Sequence, residues 1–244
     1  PIDELLDELD VRPGDDALDA LYVATAPAPQ GRAAKFLAEM QVVPSWVDWE
    51  LISRGQRVFI SHFPAASVVL YNVSLVAGFS IPKVTKVLEQ SGYLVGSPAA
   101  AMRRLFETGR LLIDCCMEEG AMTPGTGAGW KSALRVRALH GRVRRRLLRR
   151  QEPHAGEDAT DGLAWDIGTY GVPINQEDMA ATLLAFSYNV LIGLEVLRGD
   201  RPLPQADQEA YLHLWRYIGF LLGVRDEFNP CARDVPYAKA FLES

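Results

Sequence analysis

VFISHFPAASVVLYNVSLVAGFSIP, residues 58–82, runs for 25 residues without an Asp, Glu, Lys or Arg. That is long enough to cross a bilayer. Yet Ser61, His62, Ser67, Asn72 and Ser74 interrupt it, and Pro64 stands inside it. Polar groups at that density are costly in hydrocarbon, so the stretch reads as a buried helix in the middle of a folded domain. Upstream, Ser45 or Asp48 can cap a helix through Trp46, Trp49, Ile52 and Val58, which Pro64 should interrupt or kink. Before that, residues 2–9, 17–21 and 31–40 make short helices around a Pro13-Gly14 break. Downstream, Ile81-Pro82 opens a helix that ends at Ser91-Gly92, and Ser97-Pro98 opens a longer one from Ala99 to about Glu119. A glycine-rich loop over 120–129 leads to an arginine-rich helix over 130–150. Residues 151–171 are polar and irregular. The run Asn175-Gln176-Glu177-Asp178 caps an apolar helix to Leu197, and 208–222 forms a final helix rich in aromatics. No strand alternation and no repeat interrupts this pattern. The expected fold is all-α, a single domain over residues 1–244.

The composition agrees. With 244 residues, 48% of them hydrophobic, the chain can bury a large core and enclose a pocket, which excludes a disordered segment or a disulfide scaffold. Three cysteines, two of them adjacent (Cys115, Cys116), show no CxxC spacing and suit a reducing or thiol-indifferent compartment; an intracellular, cytoplasmic location is expected, with endoplasmic-reticulum membrane association if an N-terminal anchor was removed. The chain starts at Pro1 without a basic and apolar leader. Association with a membrane would need a segment that is not in this sequence. The oligomeric state is left open.

Charge is spread unevenly. Residues 135–150 (RVRALHGRVRRRLLRR) hold eight arginines and no acid, although the chain as a whole carries −6. The rest has 17 basic and 31 acidic residues, a surface that repels nucleic acid. The patch therefore calls for phosphate, carboxylate or acidic side chains of the same fold. No nucleic-acid partner is expected.

Of the four histidines, His154 falls in the polar loop, while His62 and His213 lie at the edges of apolar faces. His140 is different. Val136, Leu139, Val143 and Leu147 recur at helical spacing, and His140 flanks that stripe with Arg137 a turn before it and Arg144 a turn after. Neighbouring cations disfavour the imidazolium, and a neutral imidazole beside an apolar face and two guanidiniums suits haem, whose propionates seek arginine. On spacing alone, a histidine packed at the edge of the core explains the pattern better. A second cluster, Arg103, Arg104, Glu107 and Thr108, shares the helix before the loop, with Arg104 and Thr108 four residues apart on one face. It reads either as a solvated ion pair or as a carboxylate, hydroxyl and guanidinium able to bind dioxygen or move a proton. The patterns GxGxxG, GxxxxGK[ST], HExxH and GxSxG are absent, as are an aspartate-rich cluster and paired ExxH motifs.

Five blocks in order resemble the rubber oxygenase (latex-clearing protein) catalytic domain family, which includes a fungal membrane-bound oxygenase of mycophenolic acid biosynthesis. They are Val43-Pro44-Ser45-Trp46-Val47-Asp48-Trp49 with Arg54-Gly55-Gln56; Arg103-Arg104-Leu105 with Glu107-Thr108; and Arg135-Val136-Arg137 with Leu139-His140 and Val143-Arg144. Val172-Pro173-Ile174-Asn175-Gln176 with Asp178, and Leu214-Trp215-Arg216-Tyr217, complete the set. They run from about residue 43 to 223 and are closest to the fungal branch. The resemblance implies a globin-like core holding one haem b, with His140 as proximal iron ligand and Arg104 and Thr108 as polar distal residues. Latex-clearing enzymes carry a lysine just before that threonine, where this chain has Glu107, so the lysine's role does not transfer. Glu89 lies near the place of the family's catalytic glutamate.

The function expected from this resemblance is a haem-dependent oxygenase that uses dioxygen to cleave a double bond of an apolar isoprenoid or prenylated small molecule. Arg137 and Arg144 would hold the propionates, and Glu107 or Glu89 would act as base. The substrate would lie between the helices over 58–78 and 179–197. A haem-dependent hydroxylase or peroxidase, and a non-catalytic carrier of haem or lipid, remain as alternatives.

Overall fold

The computed structural model describes residues 2–9, 11, 16–91, 98–149 and 164–243, and these contain helices and no strand. The Pro13-Gly14 break, Arg150 and His154 lie outside the described residues. Helices α1 (Ile2–Glu8), α2 (Ala17–Thr25) and α3 (Arg32–Gln41) come first. Asp16 caps α2, its carboxylate accepting from the N–H groups of Leu18 and Asp19. Asp48 does the same for α4 (Trp49–Ser61), taking up the N–H groups of Glu50 and Leu51; such caps satisfy donors that a helix start leaves orphaned. The chain breaks at His62, two residues ahead of Pro64. That proline falls in the first turn of α5 (Phe63–Val69), where its missing N–H costs nothing. The axes of Trp49–Ser61 and Phe63–Phe79 differ by 81°.

A π-helical turn, Leu70–Ser74, joins α5 to α6 (Leu75–Phe79), and α7 (Pro82–Gln90) follows. Then come α8 (Pro98–Cys116), which ends three residues before the sequence suggests, and α9 (Ala128–Arg149). After the short α10 (Ile167–Tyr170), the expected single apolar helix is two, α11 (Gln176–Phe186) and α12 (Tyr188–Leu197), divided at Ser187. Gly223, at φ +96°, ends α13 (Gln205–Leu222) in the left-handed conformation that glycine adopts without a steric penalty. A 3-10 turn at Asp226–Phe228 leads to α14 (Val235–Glu243), an element the sequence reading did not foresee.

Helix α13 is the hub: α4, α9, α11 and α14 all pack on it. Its contact with α4 is the closest. A methyl group at Gly55 would fall 2.5 Å from the Ala210 carbonyl oxygen and 2.9 Å from the Leu214 Cβ. The buried stripe of α9 is not the one expected. Trp130, Ala133, Leu134, Ala138, Gly141 and Leu147 are buried, whereas Val136, Leu139 and Val143 are only half-buried. Small residues let α9 lie close to its neighbours, so Ala and Gly share its inner side with Trp130, Leu134 and Leu147.

The charge-free stretch also departs from expectation. One side of it is buried against α12, but Val68, Tyr71, Val73, Val76 and Phe79 are exposed. A substrate pocket between this stretch and α11–α12 is contradicted at their crossing, because a methyl group at Gly193 would fall 2.4 Å from both Val69 Cγ atoms. These helices pack on each other there. By length and composition Gln176–Leu197 is apolar enough to cross a membrane (22 residues, mean hydropathy 1.7), although 44% of its most apolar window is buried in the fold. All three cysteines are free and buried, and burial pushes each thiol up, that of Cys231 to about 12.

The Gly55 contact gives the fold a direct test. Gly55→Ala is expected to lower unfolding stability in urea by at least about 2 kcal/mol, because the added carbon meets backbone that cannot yield. Gly109→Ala, inside α8 with nothing within 4 Å of the added carbon, is expected to raise stability by about 0.5–1 kcal/mol through helix propensity.

Candidate functional site

Helix α9 carries the candidate site. It leaves a tight crossing with α8, where a methyl group at Gly129 would fall 2.7 Å from the Asp114 carbonyl oxygen and the Cys115 Cα. His140 on α9 and Arg104 on α8 stand equally far along their helices from that crossing. The side chain of Arg104 lies outside the described residues.

His140 sits in the half-buried row with Val136, Leu139, Val143 and Arg144. Its Nδ1 is shielded from solvent and has no hydrogen-bond partner among the described residues. Burial, and then the Arg144 cation a turn away, push the imidazole down to about 4, so the ring is neutral at physiological pH. The other two described histidines are occupied: His62 Nδ1 lies 3.0 Å from the Val58 carbonyl, and His213 Nε2 accepts the Asp48 N–H at 2.9 Å. A buried ring nitrogen without a partner costs about 1–3 kcal/mol, and it occurs at the histidine that the sequence singled out.

The flanking arginines are committed to protein groups. Arg144 donates through Nε to the Pro173 carbonyl at 3.2 Å and through Nη2 to the Ile174 carbonyl at 2.6 Å. Arg137 lies 5.5 Å over the Phe36 ring, with Nη1 3.4 Å from Met40 Sδ, and packs against Gly223. Arg135 bonds Asp16 at 2.6 Å, so the arginine patch meets acids of the same fold, one of the outcomes its charge allowed. Neither Arg137 nor Arg144 stands as an isolated cation waiting for an anion.

The segment that receives Arg144 was missed as a site feature. Ile174 has φ +52°, a conformation that costs a β-branched residue on the order of 1–3 kcal/mol. It precedes a capping box in which Asn175 and Asp178 satisfy each other's backbone, and Asp178 also bonds Lys83 at 3.0 Å. Gln176 donates to the Gly223 carbonyl and accepts the Arg225 N–H at 2.8 Å. The block Val172–Gln176 was visible in the sequence, but its tie to Arg144 was not.

Glu107 and Thr108 are exposed on α8, where Met102, Arg103, Phe106, Glu107 and Arg110 line an open groove. Glu89 is also solvated and bonds Lys86 at 2.9 Å within α7. Among the described residues no group of three or more His, Cys, Asp or Glu forms a metal cage. A lone neutral imidazole in an apolar, half-covered row suits a metal that brings its own ring of ligands, not a cage of protein donors. The residues present fit haem on that ground.

Comparison with known proteins follows the same line. A family model described as "ER-bound oxygenase mpaB/B'/Rubber oxygenase, catalytic domain" matches residues 49–240. The rubber oxygenase of Streptomyces sp. (strain K30) is 27% identical over 218 residues, covering 86% of this chain and 47% of that protein. The chain thus spans about half the length of this relative. A latex clearing protein solved in its closed state has a similar fold, with a TM-score of 0.60, 22% identity, and 88% of this chain and 58% of that one covered.

The depressed imidazole sets a pH dependence for the protein free of cofactor. His140 titrates near 4 when folded, below its ordinary 6.5, so as pH falls the unfolded state takes up the proton first. Stability from this group is complete above about 6.5 and is lost progressively down to about 4, by up to about 3 kcal/mol. Urea unfolding of His140→Leu is expected to show a correspondingly weaker loss over that window than the unmodified chain.

Proposed function

This chain belongs to the family of ER-bound and rubber oxygenase catalytic domains, and on that premise we propose that it is a haem b-dependent oxygenase. Its substrate is an apolar isoprenoid or prenylated small molecule, in which it cleaves a carbon–carbon double bond. The observation that carries this reading is His140: a neutral imidazole with a shielded, unpartnered nitrogen, inside the family match. The reaction balances without an outside reductant, because the double bond and dioxygen are consumed together and each alkene carbon leaves as a carbonyl. When bound, haem supplies the ferrous iron at which dioxygen is activated.

The roles of the side chains follow from their chemistry. His140 gives a nitrogen lone pair to the iron and stays unprotonated to do so. Arg137 and Arg144, a turn to either side, supply positive charge for the propionates beyond the bonds they already make. Arg104 and Thr108 donate hydrogen bonds to oxygen. Glu107, on the same helix, accepts an allylic proton at its carboxylate and gives it back as the products form, so the two carbonyls still balance against alkene and dioxygen. Glu89, whose carboxylate bonds Lys86 within α7, is the alternative base. A globin-like core and kinship with the fungal branch belong to this reading too, and the latter favours a small prenylated substrate over polymer.

An absorption spectrum of the purified, haem-supplied protein is the first test. A Soret band is expected, lost or altered in His140→Ala and retained in His62→Ala, His154→Ala and His213→Ala. An unchanged spectrum in His140→Ala sinks the assignment. With a prenylated alkene, dioxygen should be consumed and carbonyl products should carry oxygen from it. A hydroxylated product would point to the hydroxylase alternative, and binding without oxygen consumption to a carrier. Glu107→Gln is expected to cut turnover about 10²–10⁴-fold, the usual contribution of a general base, at unchanged haem content. The same loss in Glu89→Gln instead moves the base there.

A further inference from the structure

His140 is framed by a closed circuit of contacts. Arg144 reaches from α9 to the carbonyls of Pro173 and Ile174. Two residues on, Gln176 binds both sides of the turn that ends α13, donating to the Gly223 carbonyl at 3.0 Å and accepting the Arg225 N–H. The Gly223 Cα faces the Arg137 guanidinium, where an added methyl group would fall 3.2 Å from Nε. Arg137 returns the circuit to α9, one turn before His140. At its midpoint Ile174 is held at φ +52°, and a side chain persists in such a conformation only where its surroundings over-determine it. The capping box of α11 and the Lys83–Asp178 pair, both side chains largely buried, fix the far side of the same turn.

We propose that this junction of Pro173, Ile174, Gln176 and Gly223 is a positioning device for the His140 imidazole, with Gln176 as the residue that closes it. The inference rests on His140 being the haem ligand. Arg144 then acts on the site chiefly through the turn it grips, because two of its donors are already spent on backbone oxygens. Gln176 touches neither iron nor substrate. It holds α13 and the start of α11 in one register, and so sets the placement of the helix row that carries His140.

The test uses the full chain with Gln176→Leu and the isosteric Gln176→Glu, which keeps an acceptor for the Arg225 N–H but cannot donate to the Gly223 carbonyl. In cofactor-free protein labelled at histidine nitrogen, the His140 ring signals are expected to broaden or double in both variants. Those of His62 and His213 should stay in place, which a general loss of structure would not allow. In haem-loaded protein, haem loss to an excess of a scavenging apoprotein should speed up about tenfold, the lower range for removing groups that orient a metal ligand. Arg144→Lys, which keeps the charge but cannot fork two carbonyls, should match Gln176→Glu. Unchanged His140 signals in Gln176→Glu overturn the proposal. So does faster haem loss in Arg144→Leu with unmodified behaviour in Arg144→Lys and Gln176→Glu, which would leave Arg144 acting through its charge alone. If the unmodified protein takes up no haem, the cofactor reading fails, while the ring signals still decide whether the junction holds His140.

Discussion

The approach of α4 to α13 at Gly55 is the constraint from which the rest of the architecture follows. Helix axes come this close only where one partner has no side chain, and the Ala210 carbonyl takes up the space that any Cβ would need. With α4 seated there, α13 can bury nearly its whole circumference, presenting Leu214, Tyr217, Ile218 and Leu221 to several neighbours at once. The position of α9, and with it the His140 row, is then set by packing on α13 and on the N-terminal helices α1 and α2. The same logic recurs at Gly129 and Gly193, where α8 meets α9 and α5 meets α12. Backbone proximity, more than bulky interdigitation, fixes where these helices cross.

The candidate site joins two requirements that oppose each other in water. A ligating histidine must keep its lone pair, yet its surroundings carry more positive charge than any other part of the chain. Burial and the Arg144 cation both act against protonation, so the charge beside this half-buried row keeps its imidazole neutral. Their own cost is met by acids and carbonyls of the fold: Asp16 for Arg135, the Pro173–Ile174 turn for Arg144. Charge that reads as a surface patch in the sequence is largely internal bookkeeping of the helix bundle.

The helical class, the Asp48 and Asn175 caps and the starts at Pro82 and Pro98 were legible, because each depends on a few adjacent residues. The break at His62 was legible only as a disturbance near Pro64, since a proline in a first turn displaces the boundary upstream. The inner face of α9 was misread because hydrophobic size stood in for burial, while Ala133, Ala138 and Gly141 are inside by being small. Ser187 divides an unbroken apolar run, and α14 was passed over although Asp234, which accepts the Tyr237 N–H at 3.0 Å, and Pro236 in its first turn mark its start. At the site, His140 stood out from its neighbours and from the family resemblance. The grip of Arg144 on residues 173 and 174, about thirty positions away, has no local signature, and an isoleucine gives no warning of a left-handed backbone.

Burial of all three thiols has a practical side. Oxidation of cysteine proceeds through the thiolate, and these groups hold their protons far beyond neutral pH. The chain thus offers an oxidant no ready sulfur nucleophile of its own. Mercaptan reductants can be left out of every buffer, and covalent dimers through disulfides should not accumulate on storage in air.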